Sequence, residues 1–239
     1  MLGMFGGHRG RNKNEGEKPF WISYADLMTA MMVLFLAAMA VTIAIVTRTI
    51  DGGQSKYKRE VASICEQIGN TLKDAPDIQV DCANQRITFP RVGTFPFNSY
   101  SLSPDGEAAL ARLVPAVLEA ADSELGKKWL KQIVVEGYTD PVGGYLYNLH
   151  LSLQRSEYVL CLLMDPNRNR NLSLTEDQLA RVRRLFLAGG VSFNNQRSTA
   201  EESRRVELRI QFYGMNEEHE QARVSAVEAG AARMDRCQL

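Results

Sequence analysis

One long apolar segment limits what this chain can fold into. Residues 27–47 are 21 consecutive residues without a charged residue, a glycine or a proline, and Asp26 is the only charge between Phe20 and Thr47. A helix of about 20 residues is about 30 Å long, which matches the hydrocarbon core of a bilayer. The apolar region of a cleaved signal peptide is shorter, about 7–15 residues. The sequence therefore predicts a retained transmembrane helix over residues 20–47, after an N-terminal arm over residues 1–19.

The charges and the cysteines say less about the partners, the membrane orientation and the compartment of the chain. The 28 Lys and Arg residues balance the 28 Asp and Glu residues, so no bulk electrostatic attraction favours nucleic acid as a partner. Basic residues are also balanced on the two sides of the apolar segment, so they do not predict its orientation. The four cysteines weakly favour a C-terminal part in an oxidising periplasm, where they could pair, although four thiols are also ordinary in a cytosolic protein. If they pair, Cys65 and Cys82 are favoured because they lie closest in the sequence.

Asp26 is the candidate functional residue of the apolar segment. A central Asp costs about 2.5–3.5 kcal/mol in a membrane helix, and such residues usually face other helices or water. Burial favours the neutral carboxyl group, so Asp26 is a candidate to load and release protons, and a single span needs partner helices to enclose a proton path. The alternative is that Asp26 lies near the interface and reaches the headgroups. Helical steps from Asp26 reach mostly small side chains, which let helices approach closely: Ala30, Val33, Ala37, Ala40 and Ala44.

The residues around this carboxylate resemble a known signature. Residues 19–32 read PFWISYADLMTAMM, which is similar to the N-terminal signature of MotB-type stator subunits of proton-driven rotary motors. The resemblance implies that Asp26 carries the protons and that the N-terminus is cytoplasmic. It also implies a dimer of this chain inside a ring of five multi-span subunits. The residues expected to line the pore or to pack against these partners are Tyr24, Thr29, Ala30, Val33 and Ala37.

The pattern changes after the membrane segment. Asp51-Gly52-Gly53 predicts a break in the helix. A linker helix is then predicted over residues 48–75, because apolar residues recur at helical spacing: Tyr57, Val61, Ile64, Ile68 and Leu72. This helix either plugs a channel, as the MotB resemblance implies, or packs on its own domain or on its dimer mate.

Strand and helix patterns alternate over residues 76–215. Strands are predicted at 78–82, 86–89, 133–135 and 206–213, and helices are predicted from Pro104, over 149–164, and over 175–187 after a Thr175 cap. This interleaved order favours an α+β sandwich with helices on one face of the sheet. The remaining residues, 216–239, are predicted to form a polar tail.

Two parts of this domain resemble the OmpA-like peptidoglycan-binding domain. They are Gly137-Tyr138-Thr139-Asp140 with Asn148, Leu151-Ser152 and Arg155, and Arg204-Arg205-Val206-Glu207. The resemblance implies a periplasmic domain of the β-α-β-α-β sandwich type.

A cell-wall ligand explains why an acid and a base would be needed together. Diaminopimelate carries an ammonium and a carboxylate, and Asp140 and Arg155 match the acid and the base of the OmpA-like family. The alternative is that Asp140 braces its loop and Arg155 only pairs with it. The other residues implied in peptidoglycan binding are Tyr147, Asn148, Leu151 and Arg205.

Across nearly its whole length the chain resembles the ZorB family, the MotB-like subunits of Zorya anti-phage defence systems. Segments 20–26, 145–156, 185–195 and 204–207 carry that resemblance. It implies a proton-driven stator subunit in the bacterial inner membrane, anchored to peptidoglycan and paired with a ZorA-like multi-span protein. A flagellar MotB-type stator and a passive envelope tether are the alternatives. The sequence contains no motif of an enzyme active site, a cofactor site or a metal site, so none of these is expected.

Overall fold

The computed structural model describes residues 18–165, 168, 171–215, 217 and 237. The chain divides into two compact units, Met1–Ser55 and Lys56–Leu239. Most of the predicted N-terminal arm and most of the predicted tail lie outside the described residues. The boundary between the two units falls inside the linker helix predicted over residues 48–75.

Helix α1 runs from Lys18 to Thr71, and its first part belongs to the first unit. It is the one helix in the described part of the chain that is long and apolar enough to cross a membrane. Residues 24–50 are exposed within the chain, as expected of a segment that lipid or other subunits surround. The predicted break at residues 51–53 is wrong, because α1 continues through Gly52 and Gly53. Each glycine costs a helix about 1 kcal/mol relative to alanine, which weakens the helix without having to end it.

The last part of α1 belongs to the core of the second unit. Tyr57 donates a hydrogen bond from its hydroxyl to the carbonyl oxygen of Tyr213 at 2.9 Å. Cys65 forms a disulfide bond with Cys82, so the predicted pairing is confirmed. Of the two roles expected for the linker helix, the structure shows the packing on its own domain. Its buried positions recur every three or four residues: Val61, Ile64, Cys65, Ile68 and Leu72.

A five-stranded mixed sheet forms the centre of the second unit. Its strands are β1 (Gln79–Asp81), β2 (Arg86–Thr88), β3 (Leu130–Gly137), β4 (Phe186–Gly190) and β5 (Val206–Phe212). The strand order is β1-β2-β5-β3-β4, with β3 and β4 parallel and the other neighbours antiparallel. Alternation along β3 and β5 separates an apolar face from a charged one.

The apolar face of the sheet carries the core. Ile133 and Val135 of β3 and Leu208 and Ile210 of β5 are fully buried there. They pack with side chains from four helices, which are α2 (Pro104–Asp122), α3 (Glu124–Trp129), α4 (Tyr145–Met164) and α5 (Glu176–Leu185). A short helix, α6 (Ala200–Ser203), precedes β5. The predicted α+β sandwich is therefore confirmed.

The local signals at the helix ends act as expected, with one exception. Thr175 caps α5 as predicted and forms a capping box with Gln178. The predicted helix over 175–187 ends earlier, however, at Leu185, and Phe186–Gly190 forms β4 instead. Alanine and glycine are weak strand formers, so this strand depends on its parallel pairing with β3. Helix α4 begins at Tyr145 rather than at residue 149.

Candidate functional site

The first candidate site is the carboxylate of Asp26 on the apolar part of α1. Asp26 is exposed within the chain, so an environment outside the chain has to solvate or cover it. The Thr29 hydroxyl donates to the backbone carbonyl oxygen of Asp26 at 2.9 Å, which holds the Thr29 side chain along the helix. At about 100° per residue, four predicted residues lie within about 60° of Asp26 around the helix axis: Thr29, Ala30, Val33 and Ala37.

Tyr24 lies elsewhere on the same helix. It precedes Asp26 by two residues, so it is about 160° away around the helix axis. Its side chain is 56% exposed. The structure therefore brings four of the five predicted pore-lining or packing residues onto the Asp26 face and places Tyr24 on the opposite face.

The second candidate site is a cleft of about 170 Å³ between the end of β3 and the start of α4. Gly137 ends β3, and a side chain there would collide with the carbonyl oxygen of Ser152, so glycine lets α4 lie close to the strand. Positions three and four residues apart share one face of a helix, which is how α4 presents several side chains together. Five predicted residues line the cleft: Asp140, Tyr147, Asn148, Leu151 and Arg155.

Asp140 supplies the acidic group of the cleft and is 4% exposed. Its Oδ1 accepts a hydrogen bond from the backbone N–H of Val142 at 3.1 Å. Its Oδ2 accepts one from Nη1 of Arg204 at 2.9 Å. The acid is therefore ion-paired with Arg204, and the alternative in which Arg155 is its direct partner is not what the structure shows. The bond to Val142 does brace the loop, as the other part of that alternative expected.

Arg155 supplies the basic group and is fully buried. Its guanidinium donates to three backbone carbonyl oxygens, those of Ser99 at 2.9 Å, Tyr138 at 2.5 Å and Pro96 at 3.5 Å. Burial lowers the pKa of Arg155 to about 10, although the negative charge of Asp140 opposes that shift. A guanidinium held by neutral carbonyl groups keeps its whole charge available, so this position favours an anionic ligand.

The remaining predicted residues shape the walls of the cleft. Asn148 donates from Nδ2 to the carbonyl oxygens of Val142 at 2.9 Å and Gly144 at 3.2 Å, so its amide group braces the loop before α4. Gly143 in that loop has a φ of +100°, a conformation that side chains rarely adopt. The hydroxyl of Tyr147 donates to Oδ1 of Asn98.

Arg205 is the predicted binding residue that the structure does not bring into the cleft. It lies on the charged face of the sheet, where its Nε donates to Oε1 of Glu207 at 2.6 Å and its guanidinium stacks on Tyr138 at 4.1 Å. Its neighbour Arg204 lines the cleft instead. The alternation of side chains along a strand distinguishes these two arginines, because residues two apart lie on the same face. Arg204 is two residues from the core residue Val206, and Arg205 is two residues from Glu207 on the charged face.

Comparisons with known proteins identify the family of this chain. The family model described as membrane MotB of the proton-channel complex MotA/MotB matches residues 7–43. The chain is 48% identical over 226 residues to Zorya protein ZorB of Escherichia coli O139:H28 (strain E24377A / ETEC), covering 93% of this chain and 92% of that protein. The chain belongs to the ZorB family. Asp26 lies inside the segment that matches the MotB model.

Solved structures resemble the second unit of this ZorB-family chain at low identity. The cell wall anchor of the T6SS from Pseudomonas aeruginosa is 23% identical, with 60% of this chain and 96% of that chain covered and a TM-score of 0.41. A putative MotB like protein from Desulfovibrio vulgaris is 18% identical, with 67% of this chain and 99% of that chain covered and a TM-score of 0.40.

Proposed function

We propose that this chain is the stator subunit of a proton-driven inner-membrane motor that is anchored to peptidoglycan and acts in anti-phage defence. The observation that carries the proposal is the combination of two sites in one ZorB-family chain. One site is a carboxylate on an exposed apolar helix, and the other is a buried acid and base in a cleft of the second unit. A motor that applies force needs both a source of energy and a fixed attachment point.

Asp26 provides the energy input in this proposal. The neutral and charged forms of its carboxyl group make different contacts with neighbouring helices, so proton loading and release change the packing of α1. A single helix cannot enclose a proton path, and residues 24–50 have no cover within the chain. The partner is a ZorA-like multi-span protein, arranged as a ring of five subunits around a dimer of this chain.

The disulfide bonds support the orientation. Cys65 pairs with Cys82, and Cys161 pairs with Cys237, and both pairs belong to the second unit. Disulfide bonds persist in the periplasm and are rare in the cytosol. The N-terminus is therefore assigned to the cytoplasm and the second unit to the periplasm, where peptidoglycan is accessible.

In this proposal, the cleft attaches the chain to the cell wall and so holds the motor in a fixed position. Asp140 binds the ammonium of a diaminopimelate residue, and Arg155 binds a carboxylate of the same residue. Leu151 is 7% exposed and contributes an apolar wall, while Tyr147 contributes an aromatic edge beside it. Both charged groups are held in place before binding, so little conformational entropy is lost when the ligand enters.

The test is the proton-dependent activity of the assembled membrane complex with Asp26→Asn. Asparagine keeps the size of the side chain and cannot carry a proton, so we expect both phage resistance and proton-dependent motor activity to be lost. Asp51→Asn is the matched control, because Asp51 is an exposed carboxylate on the same helix outside the apolar segment, and it should retain activity. Full activity of Asp26→Asn would refute the motor role. If cells with Asp26→Asn lose swimming but keep their phage resistance, a flagellar stator is favoured.

A further inference from the structure

The cleft contains more positive than negative charge. Three charged side chains line it, those of Asp140, Arg155 and Arg204. Two guanidinium groups face one carboxylate, so the cleft has an excess of one positive charge. A ligand with one ammonium and one carboxylate would leave that excess unbalanced.

Two side-chain hydrogen bonds hold Arg204 in the cleft. Its Nε donates to the carbonyl oxygen of Phe95 at 3.1 Å, and its Nη1 donates to Oδ2 of Asp140 at 2.9 Å. The same short segment, residues 95–99, also supplies two of the three carbonyl oxygens that hold Arg155. The two guanidinium groups are thus held by one piece of backbone, which fixes the spacing between them.

Hydrogen-bonding groups remain available on all three charged side chains. A guanidinium has five N–H donors, and within the described part of the chain Arg155 makes three hydrogen bonds and Arg204 makes two. A carboxylate accepts about four hydrogen bonds, and Asp140 accepts two from described residues.

Thr139 gives independent evidence that the cleft takes a polar ligand. It lines the cleft and is 2% exposed. Its hydroxyl makes no hydrogen bond to any described residue, and a buried hydroxyl without a partner is costly. A polar group of a ligand in the cleft would supply that partner.

We propose that Arg204 makes this cleft selective for a ligand with two carboxylates and one ammonium. The inference rests on the proposed peptidoglycan binding and adds the class of stem peptide. A stem tripeptide that ends in diaminopimelate has one free ammonium and two free carboxylates on that residue. Asp140 binds the ammonium, Arg155 binds one carboxylate, and Arg204 binds the other while it keeps its bond to Asp140. An amidated diaminopimelate leaves one of the two guanidinium groups without a ligand carboxylate.

The test is calorimetric titration of the full chain in detergent with two tripeptides. One is L-Ala-D-Glu-diaminopimelate, and the other is the same peptide with one diaminopimelate carboxylate amidated. A hydrogen-bonded charge pair changes affinity about tenfold or more, so we expect the wild type to prefer the diacid by about that factor. Arg204→Gln should reduce this ratio to near one, and Arg204→Lys should restore most of it.

The controls separate this inference from the proposed function. Arg112→Gln removes a half-exposed guanidinium that pairs with Asp77 outside the cleft, and it should leave the ratio unchanged. Equal wild-type affinity for both peptides, or an unchanged ratio in Arg204→Gln, overturns the selectivity and leaves peptidoglycan binding intact. Wild-type binding of neither peptide overturns peptidoglycan binding itself. If Arg204→Gln does not fold, Arg204→Met replaces it, and a ratio that stays at the wild-type value in Arg204→Met overturns the selectivity.

Discussion

Two carboxylates face each other across the charged face of the sheet. Glu136 of β3 lies directly opposite Glu207 of β5, and like charges in that position destabilise a sheet. Nη1 of Arg86 donates to both, at 2.9 Å to Glu136 and 2.7 Å to Glu207. Burial alone would raise the pKa of Glu207, but hydrogen bonds from Arg205 and Arg197 lower it below its usual range. Arginine side chains therefore balance the charge of Glu207 on this face of the sheet.

Substituting Glu207 should reveal this dependence on charge. We expect Glu207→Gln to lower the free energy of unfolding at pH 7 by about 2–3 kcal/mol, because a buried carboxylate no longer balances the charge of the three arginines that contact it. Because the pKa of Glu207 in the folded state is lower than the ordinary value of 4.5, its charge stabilises the protein at pH values above 4.5. This stabilisation is lost as the pH falls from 4.5 through the lowered pKa. The difference in the free energy of unfolding between wild type and Glu207→Gln should therefore be smaller at about pH 3 than at pH 7.

Urea unfolding of the full chain in detergent at these two pH values measures this difference. Glu202→Gln is the matched control, since Glu202 is an exposed carboxylate on the nearby helix α6, and it should change stability little at either pH. A difference for Glu207→Gln that stays constant with pH would show that the charge of Glu207 is not what stabilises the sheet.

Single residues also show how far the sequence predicts the cleft. The acid Asp140 and the base Arg155 were predicted by their match to a family pattern, and the structure places both in one cleft. Arg205 was predicted as a binding residue, but the structure places Arg204 in the cleft instead. Both residues precede β5, and only the strand's alternation distinguishes them. The direct pairing of Asp140 with Arg204 depends on the fold of residues far apart in sequence, which local patterns do not contain.

At the scale of whole elements, helix α1 has a weak point at Gly52 and Gly53. A Cβ added at either position would meet nothing within 4 Å, so close packing does not require glycine there. The boundary between the two compact units falls two residues later, after Ser55. The sequence signal for a break was therefore a signal for low helix stability, and the surrounding helix-forming residues outweigh it.

Replacing both glycines with alanine should strengthen this part of α1. Each substitution adds about 1 kcal/mol of helix stability, which corresponds to an about fivefold smaller equilibrium constant for opening the local hydrogen bonds. Amide hydrogen exchange over residues 48–58 in detergent measures the effect. Gln54→Ala is the matched control, because glutamine and alanine have similar helix propensities and Gln54 is exposed. Unchanged exchange in the double variant would mean that the glycines do not weaken the helix.

Elements differ in how well the sequence predicts them. The apolar spacing of residues 57–72 predicted an amphipathic helix correctly, because helical periodicity is a local signal. That this helix joins the core, and is tied to it by Cys65 and Cys82, is a tertiary fact that spacing alone left open. Strand β4 was missed for a related reason, since Ala188, Gly189 and Gly190 form a strand only beside β3.

At the scale of the whole molecule, the two sites lie in separate compact units. Asp26 belongs to the first unit and the Asp140 cleft to the second. Because no described side chain of the cleft comes from the first unit, a substitution at one site should leave the other site chemically unchanged. In a passive tether the first unit would serve only as a membrane anchor. Substituting Asp26 in the first unit therefore distinguishes a motor subunit from a passive tether.

The two functions should therefore be lost separately. We expect Asp140→Ala to abolish binding of the full-length chain to purified peptidoglycan sacculi and to leave assembly with the multi-span partner intact. Asp26→Asn should bind sacculi as the wild type does and should lose only motor activity, because the substitution removes the proposed proton carrier and no part of the cleft. Sedimentation with sacculi and co-purification with the partner measure the two properties on the same preparations. A passive tether would instead keep full activity in Asp26→Asn, whereas loss of sacculus binding in that variant would show that the two units are coupled.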